Sequence, residues 1–135
     1  MENSSNKLIP ASTVLVIRDG PDDIEVFMVV RHHQIDFASG ALVFPGGKVD
    51  KSDLNPQIRR HVITEKEISD EELSYKIAGI RECYEEADVL FAYEQNEKEI
   101  ISSERLSKLA KWREEFNTKK DQCLILQLKK ILNLI

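Results

Sequence analysis

The 135-residue chain carries only two cysteines, Cys83 and Cys123, and no Cys or His stands near either at metal-ligand spacing. That excludes a thiolate-ligated metal centre, and a catalytic thiol would need a base and an electropositive setting that the sequence does not supply. No apolar run approaches the length of a membrane span, and the first residues, Met1 to Asn6, are polar and lack a signal-peptide core. No membrane partner is expected, and the expected address is the cytoplasm. An excess of positive charge is also missing: the formal net charge is −5, which argues against a nucleic-acid partner, whose binding needs a cationic surface to replace counterions. There is no internal repeat and no low-complexity linker. What remains, 41% hydrophobic and 32% charged residues, is the composition of one soluble globular domain spanning residues 1–135, with a single core of mixed layers.

Residues 81 to 90 read Arg81-Glu82-Cys83-Tyr84-Glu85-Glu86-Ala87-Asp88-Val89-Leu90, downstream of a Phe44-Pro45-Gly46-Gly47 turn. Glu82, Glu85 and Glu86 have the i, i+3, i+4 spacing that puts side chains on one helix face. Such a gathering of negative charge is unfavourable unless a cation sits among it, and oxygen-rich sites suit magnesium or manganese, which can bridge a phosphate and acidify an attacking water. For an isolated Glu-x-x-Glu-Glu a plain solvated helix face is the strongly favoured explanation. An exposed i, i+4 ion pair with Glu85, worth about 0.3–0.5 kcal/mol, would explain Arg81 alone. The combination with the upstream glycines favours phosphate chemistry.

At these residues the chain resembles the Nudix hydrolases, whose signature is Gly-x5-Glu-x7-Arg-Glu-U-x-Glu-Glu-x-Gly-U, with U bulky and apolar. Gly47 opens the pattern, Asp53 stands at the first acidic position, and Arg81 to Glu86 supply the second block. Twenty-seven residues separate Asp53 from Arg81 where the family has seven, and Asp88 replaces a glycine. The stretch Gly40 to Gly47 and the long insertion look most like the branch that cleaves coenzyme A and its acyl derivatives. The resemblance implies an α/β (α+β) fold, a mixed β-sheet flanked by helices. It implies a Mg2+- or Mn2+-dependent hydrolase of a diphosphate linkage in a small-molecule nucleoside diphosphate derivative. Glu85 and Glu86 would be the main metal ligands, with Glu82 a third ligand or a base and a carbonyl of Gly46 or Gly47 completing the shell. Arg81 would orient the glutamates, and Asp53 would support Arg81 or a second metal, across a gap that a water could bridge because Asp is one methylene shorter than Glu. Arg31, Gly40 and Phe44 are the candidate substrate contacts. Asp88 motivates a rival reading, a degenerate Nudix-like binding module without turnover.

Ser12 to Ile17 and Ile24 to Arg31 read as a hairpin around the turn-forming Arg18-Asp19-Gly20-Pro21-Asp22-Asp23, and Ala41 to Phe44 as a third strand. Gly46 and Gly47 read as a turn that exploits dihedrals closed to other residues. Residues 54 to 70 read as an exposed insertion that can be shortened. Ser69 caps a helix from about Glu71 to Ala87, whose apolar stripe is Leu73, Ile77, Ile80, Tyr84 and Ala87, with Cys83 a small core residue. Val89 to Ala92 suggests a short strand. Residues 102–135 read as a helical segment: Ser102 or Ser103 caps a helix through Phe116, and Gln122 to Ile135 has helical apolar spacing. His32, His33 and His61 read as loop residues. The lack of strand-like runs after residue 92 predicts a sheet left incomplete, in a shortened homologue or a chain that continues past Ile135. An apolar last helix without a partner then predicts a homodimer or exposed apolar surface.

Overall fold

The computed structural model describes residues 8–31, 40–64, 66–94, 100–109 and 132–134. In chain order the elements are β1 (Ala11–Thr13), β2 (Val16–Asp19), β3 (Ile24–Phe27), β4 (Val29–Val30), β5 (Leu42–Val43) and β6 (Gly46–Lys48). Two 3-10 turns follow, Lys51–Leu54 and Ile58–His61, then the helix α1 (Asp70–Ala87), β7 (Ala92–Glu94) and β8 (Leu132–Leu134). Residues 103–109 are also helical. Strands and helices are therefore mixed, as the motif implied, and the described strands pair antiparallel as β1–β6, β2–β3, β4–β5 and β7–β8.

The hairpin forms, but over a shorter span than the apolar runs suggest. Gly20 N–H donates to the Asp23 carbonyl at 2.9 Å and closes the turn, so Val16 pairs with Phe27 and Asp19 with Ile24. The preceding residues take a different partner: Val14 N–H donates to the Pro45 carbonyl at 2.9 Å and β1 lies along β6. Gly46 and Gly47 are thus strand residues, contrary to the expected turn. Neither has a positive φ; among the described glycines only Gly40 does, at 75°, where its N–H donates to the Arg31 carbonyl at 3.1 Å.

Ser69 caps α1 as expected, its hydroxyl accepting from Glu72 N–H at 3.1 Å. Leu73, Ile77, Ile80 and Tyr84 bury their stripe with Ile58, Leu90, Ala92, Ile101 and Leu109, and Ala87 lies half-buried at its end. Ala78, Gly79 and Cys83 are also buried. At Gly79 an added Cβ would come within 2.8 Å of Val14 Cγ2 and 3.0 Å of Ser12 Oγ, so this side of the helix lies directly on β1. The helix ends on Asp88 in the left-handed region, φ 57° and ψ 22°. Its N–H donates to Tyr84 O and Val89 N–H to Cys83 O, both at 3.2 Å. Asp is among the residues that enter this region at modest cost, so the glycine-to-aspartate departure leaves the helix end intact.

Two further expectations need correction. The insertion is exposed over most of its described length, as expected, but it is not a free loop: Ile58 is 1% exposed in the core, and Val62 and Ile68 pack beside it. Arg59 clamps its far end, donating to Ile68 O at 3.0 Å and to Asp70 Oδ1 at 2.6 Å. Nor is the last segment helical throughout, because Leu132–Leu134 is a strand paired with Ala92–Glu94. A helical apolar period misreads this end because β pairing with a distant strand overrides local spacing. The rest of residues 110–131, including Cys123, lies outside the described residues, as do His32 and His33. For the helix expected after Ser102, residues 103–109 bear it out, with Arg105 N–H donating to Ser102 Oγ at 3.2 Å. No helix among the described residues is long and apolar enough to cross a membrane.

Candidate metal and phosphate site

Arg81 organises the acidic residues, and a short turn organises Arg81. Asp50 caps the Lys51–Leu54 turn, its Oδ1 accepting from Ser52 N–H at 2.8 Å while Asp53 Oδ2 accepts from Asp50 N–H at 2.8 Å. This reciprocal capping fixes the Asp53 carboxylate, whose side chain is fully buried. Arg81 donates to it twice, Nε to Oδ1 and Nη2 to Oδ2, each at 3.0 Å, the fork geometry that suits guanidinium and carboxylate. Asp53 therefore reaches Arg81 directly, and no water is needed to make up for the methylene that Asp lacks.

The remaining donors of Arg81 spread over the site. Nη2 also donates to the Lys48 carbonyl at 3.0 Å, and Nη1 bridges Glu82 Oε1 at 2.9 Å and Glu85 Oε2 at 3.1 Å. Burial works to lower the pKa of this guanidinium, but its bonds to Asp53 and the charges of Asp53, Glu82 and Glu85 outweigh that and raise it. Glu85 is pushed above the ordinary carboxylate range, chiefly by burial and by Glu82, against the opposing pull of Arg81. Glu86 leans the other way, accepting from Gly46 N–H at 3.2 Å. Cys83, buried behind the glutamates, has its thiol pushed up to about 11 by burial and by the charges of Glu86 and Glu82, so it is an inert core residue and no nucleophile.

Arg81, Glu82, Glu85, Glu86, Gly46, Gly47 and Asp53 are thus brought together. Arg31, Gly40 and Phe44 belong to a separate feature, the end of β4 and the approach to β6, where Arg31 N–H donates to Ala41 O at 2.9 Å. The Arg31 Nε is buried without a hydrogen-bond partner among the described residues, and Phe44 is half-buried. His61 closes the second 3-10 turn, away from this set. Sequence reasoning missed Asp50 and the Lys48 carbonyl. Asp50 was legible, since an Asp three residues before Asp53 is a capping spacing; the carbonyl was not, because it depends on where β6 lies.

The chain as a whole superposes on a known structure. The crystal structure of a NUDIX hydrolase from Alicyclobacillus acidocaldarius superposes with a TM-score of 0.58 and 27% identity, over 80% of this chain and 51% of that one. The fold is Nudix-like. The chain spans about half the length of the structure it matches. No protein-family model and no curated protein matches the sequence.

The Nudix fold implies a divalent cation, and the donor set can be judged against one. Three carboxylates, those of Asp53, Glu82 and Glu85, surround a single guanidinium, Glu86 adds a fourth on the Gly46 side, and all are hard oxygen groups, the chemistry that magnesium and manganese take. Among the described residues no three His, Cys, Asp or Glu side chains stand as a ready-made cage; Glu82 and Glu85 are held by Arg81 instead. Unbalanced negative charge and oxygen donors fit the group.

Proposed function

We propose that the chain is a Mg2+- or Mn2+-dependent hydrolase of a diphosphate linkage in a nucleoside diphosphate derivative, with coenzyme A or an acyl-coenzyme A as the substrate class. The observation that carries this is the five-bond clamp on Arg81, which holds Glu85 and, over Gly47 of β6, Glu82. The likeness to a NUDIX hydrolase supports the hydrolase reading, and the Gly40 to Gly47 stretch with the long insertion supports the choice of substrate.

Glu82, Glu85 and Glu86 would hold the cation, with a carbonyl of Gly46 or Gly47. When bound, it supplies neutralisation of the diphosphate and acidification of a water. The chain's own residues supply the rest. Glu82 would accept the proton of the attacking water. Arg81 keeps the Glu82 and Glu85 carboxylates at fixed positions, so little reorganisation is needed when charge shifts among the phosphoryl and leaving-group oxygens. Arg31, with a buried unpartnered Nε, is the candidate contact for a substrate phosphate outside the acidic cluster.

The test is turnover of a panel of diphosphates by the whole chain with Mg2+ or Mn2+. Glu85→Gln and Glu86→Gln should each abolish it, since an amide keeps the oxygen but loses the charge; near-parental turnover by either variant refutes the assignment. A binding module without turnover is the second reading, and the exposed apolar residues Ile17, Ile24, Val30 and Leu42 favour it, as a catalytic domain with that surface bare would be incomplete. Manganese binding without hydrolysis of any diphosphate would decide for the module.

A further inference from the structure

We infer that Gly46 and Gly47 do two different jobs, and that Gly47 is a positioning residue: its bare Cα is the seat on which the Glu82 carboxylate rests. The dihedral explanation for these glycines is closed, since both lie in β6 and neither has a positive φ. Space is what distinguishes them. A Cβ on Gly46 would strike the Ser12 carbonyl oxygen and come within 2.9 Å of Thr13 Cα and 3.2 Å of Ser12 C. These are backbone atoms of the paired strand, which cannot move without parting β1 from β6. The three atoms nearest a Cβ on Gly47 all belong to the Glu82 carboxylate: it would overlap Oε1 and Cδ and lie 2.8 Å from Oε2.

The whole carboxylate therefore lies flat over Gly47, pressed there from the other side by Arg81 Nη1 at 2.9 Å. Glu82 is only 15% exposed. An Ala at 47 is tolerated by the strand but evicts the far end of a side chain, which breaks the Arg81–Glu82 contact and moves one acidic group out of the set. An Ala at 46 does the reverse, disturbing the strand pair first. The two neighbouring glycines thus divide into one that lets two strands touch and one that lets a strand and a carboxylate touch.

This rests on the reading of Glu82 as a ligand or base, but the seat can be tested separately. The experiment compares the full chain with Gly47→Ala, Glu82→Asp, the double variant and Gly46→Ala, using thermal unfolding without metal and Mn2+ titration by calorimetry. Gly47→Ala should fold, unfold a few degrees lower and bind Mn2+ at least about tenfold more weakly. Glu82→Asp withdraws the carboxylate by one methylene and frees the seat. The double variant should therefore be no worse than the poorer single variant in either measurement, where independent effects would multiply. Gly46→Ala should lower the unfolding temperature more than Gly47→Ala does. Additive losses in the metal-free unfolding cycle, or a Gly47→Ala protein indistinguishable from the parent, overturn the seat. A parent that binds no Mn2+ while the unfolding cycle still shows coupling refutes the metal reading and leaves the seat standing.

Discussion

Replacing Asp53 by Asn is the sharpest perturbation of the site, because it removes one charge and changes almost no volume. Asp53 Oδ2 accepts from Asp50 N–H and from Arg81 Nη2, and Oδ1 accepts from Arg81 Nε. An amide has only one oxygen, so whichever way Asn is turned its NH2 faces at least one donor that the carboxylate had satisfied. Removing one partner of a buried ion pair costs about 3–5 kcal/mol, most of it for the charge left behind. Here Arg81 is 11% exposed and keeps Glu82, Glu85 and the Lys48 carbonyl, so the expected loss falls to about 2–3 kcal/mol. For a domain of this length that is roughly 10 °C in unfolding temperature, measured by calorimetry with a denaturant series to confirm an unchanged m-value. Asp53→Glu, which restores the residue type of the Nudix signature, should also destabilise, by about 1–3 kcal/mol, since an added methylene has no room at a side chain with no exposed surface. A loss below about 0.5 kcal/mol for Asn would show that Asp53 is not what holds Arg81. A gain in stability for Glu would show that the capping turn leaves slack that the structure denies.

Two further outcomes follow from the same geometry. Ile58→Ala should cost about 2–4 kcal/mol in denaturant unfolding, as a 1% exposed core residue within the insertion; a cost near zero would restore the view that residues 54 to 70 can be trimmed freely. The Asp50 carboxyl sits below its ordinary 3.8, held there by the backbone and side-chain hydrogen bonds of Ser52 against a smaller effect of burial, with Arg81 and Lys51 assisting. A depressed folded value means its contribution is present above about pH 3.8 and is lost as pH falls through the lower folded value. Asp50→Asn should therefore flatten the acid limb of the stability profile, and an unchanged limb would count against the cap.

How much of this was legible before the structure differs by element, for physical reasons. The α1 stripe and its Ser69 cap could be read because a helix is a local object, whose period and first turn are written in adjacent residues. The acidic block could be read for the same reason. The pairing of β1 with β6 rather than wholly with the hairpin could not, since it joins residues more than thirty apart and the apolar run Ser12 to Ile17 carries no mark of the change of partner. Leu132–Leu134 shows the same limit, with an apolar spacing that fits a helix and a pairing that makes it a strand. Ile58 was misread because a charged stretch containing Pro56 looks like solvent-exposed loop, and one apolar residue within it gives no period.

The site itself is where the packing of α1 on the sheet changes character. Gly79, Glu82 and Glu86 recur at steps of three and four, and each meets the β1–β6 pair: Gly79 against Ser12 and Val14, Glu82 over Gly47, Glu86 at the N–H of Gly46. The first contact is close because the helix lacks a side chain, the second because the strand does. Between them the helix passes from burying apolar surface to presenting carboxylates. The Leu73 to Tyr84 stripe on another side fixes the helix in the core, so the carboxylates inherit their positions from packing that has no part in the chemistry. That division explains why the acidic groups can bear mutual repulsion: Arg81 bonds Glu82 and Glu85, Glu82 lies over Gly47, Glu86 accepts from Gly46 N–H, and the core holds in place the helix that carries them.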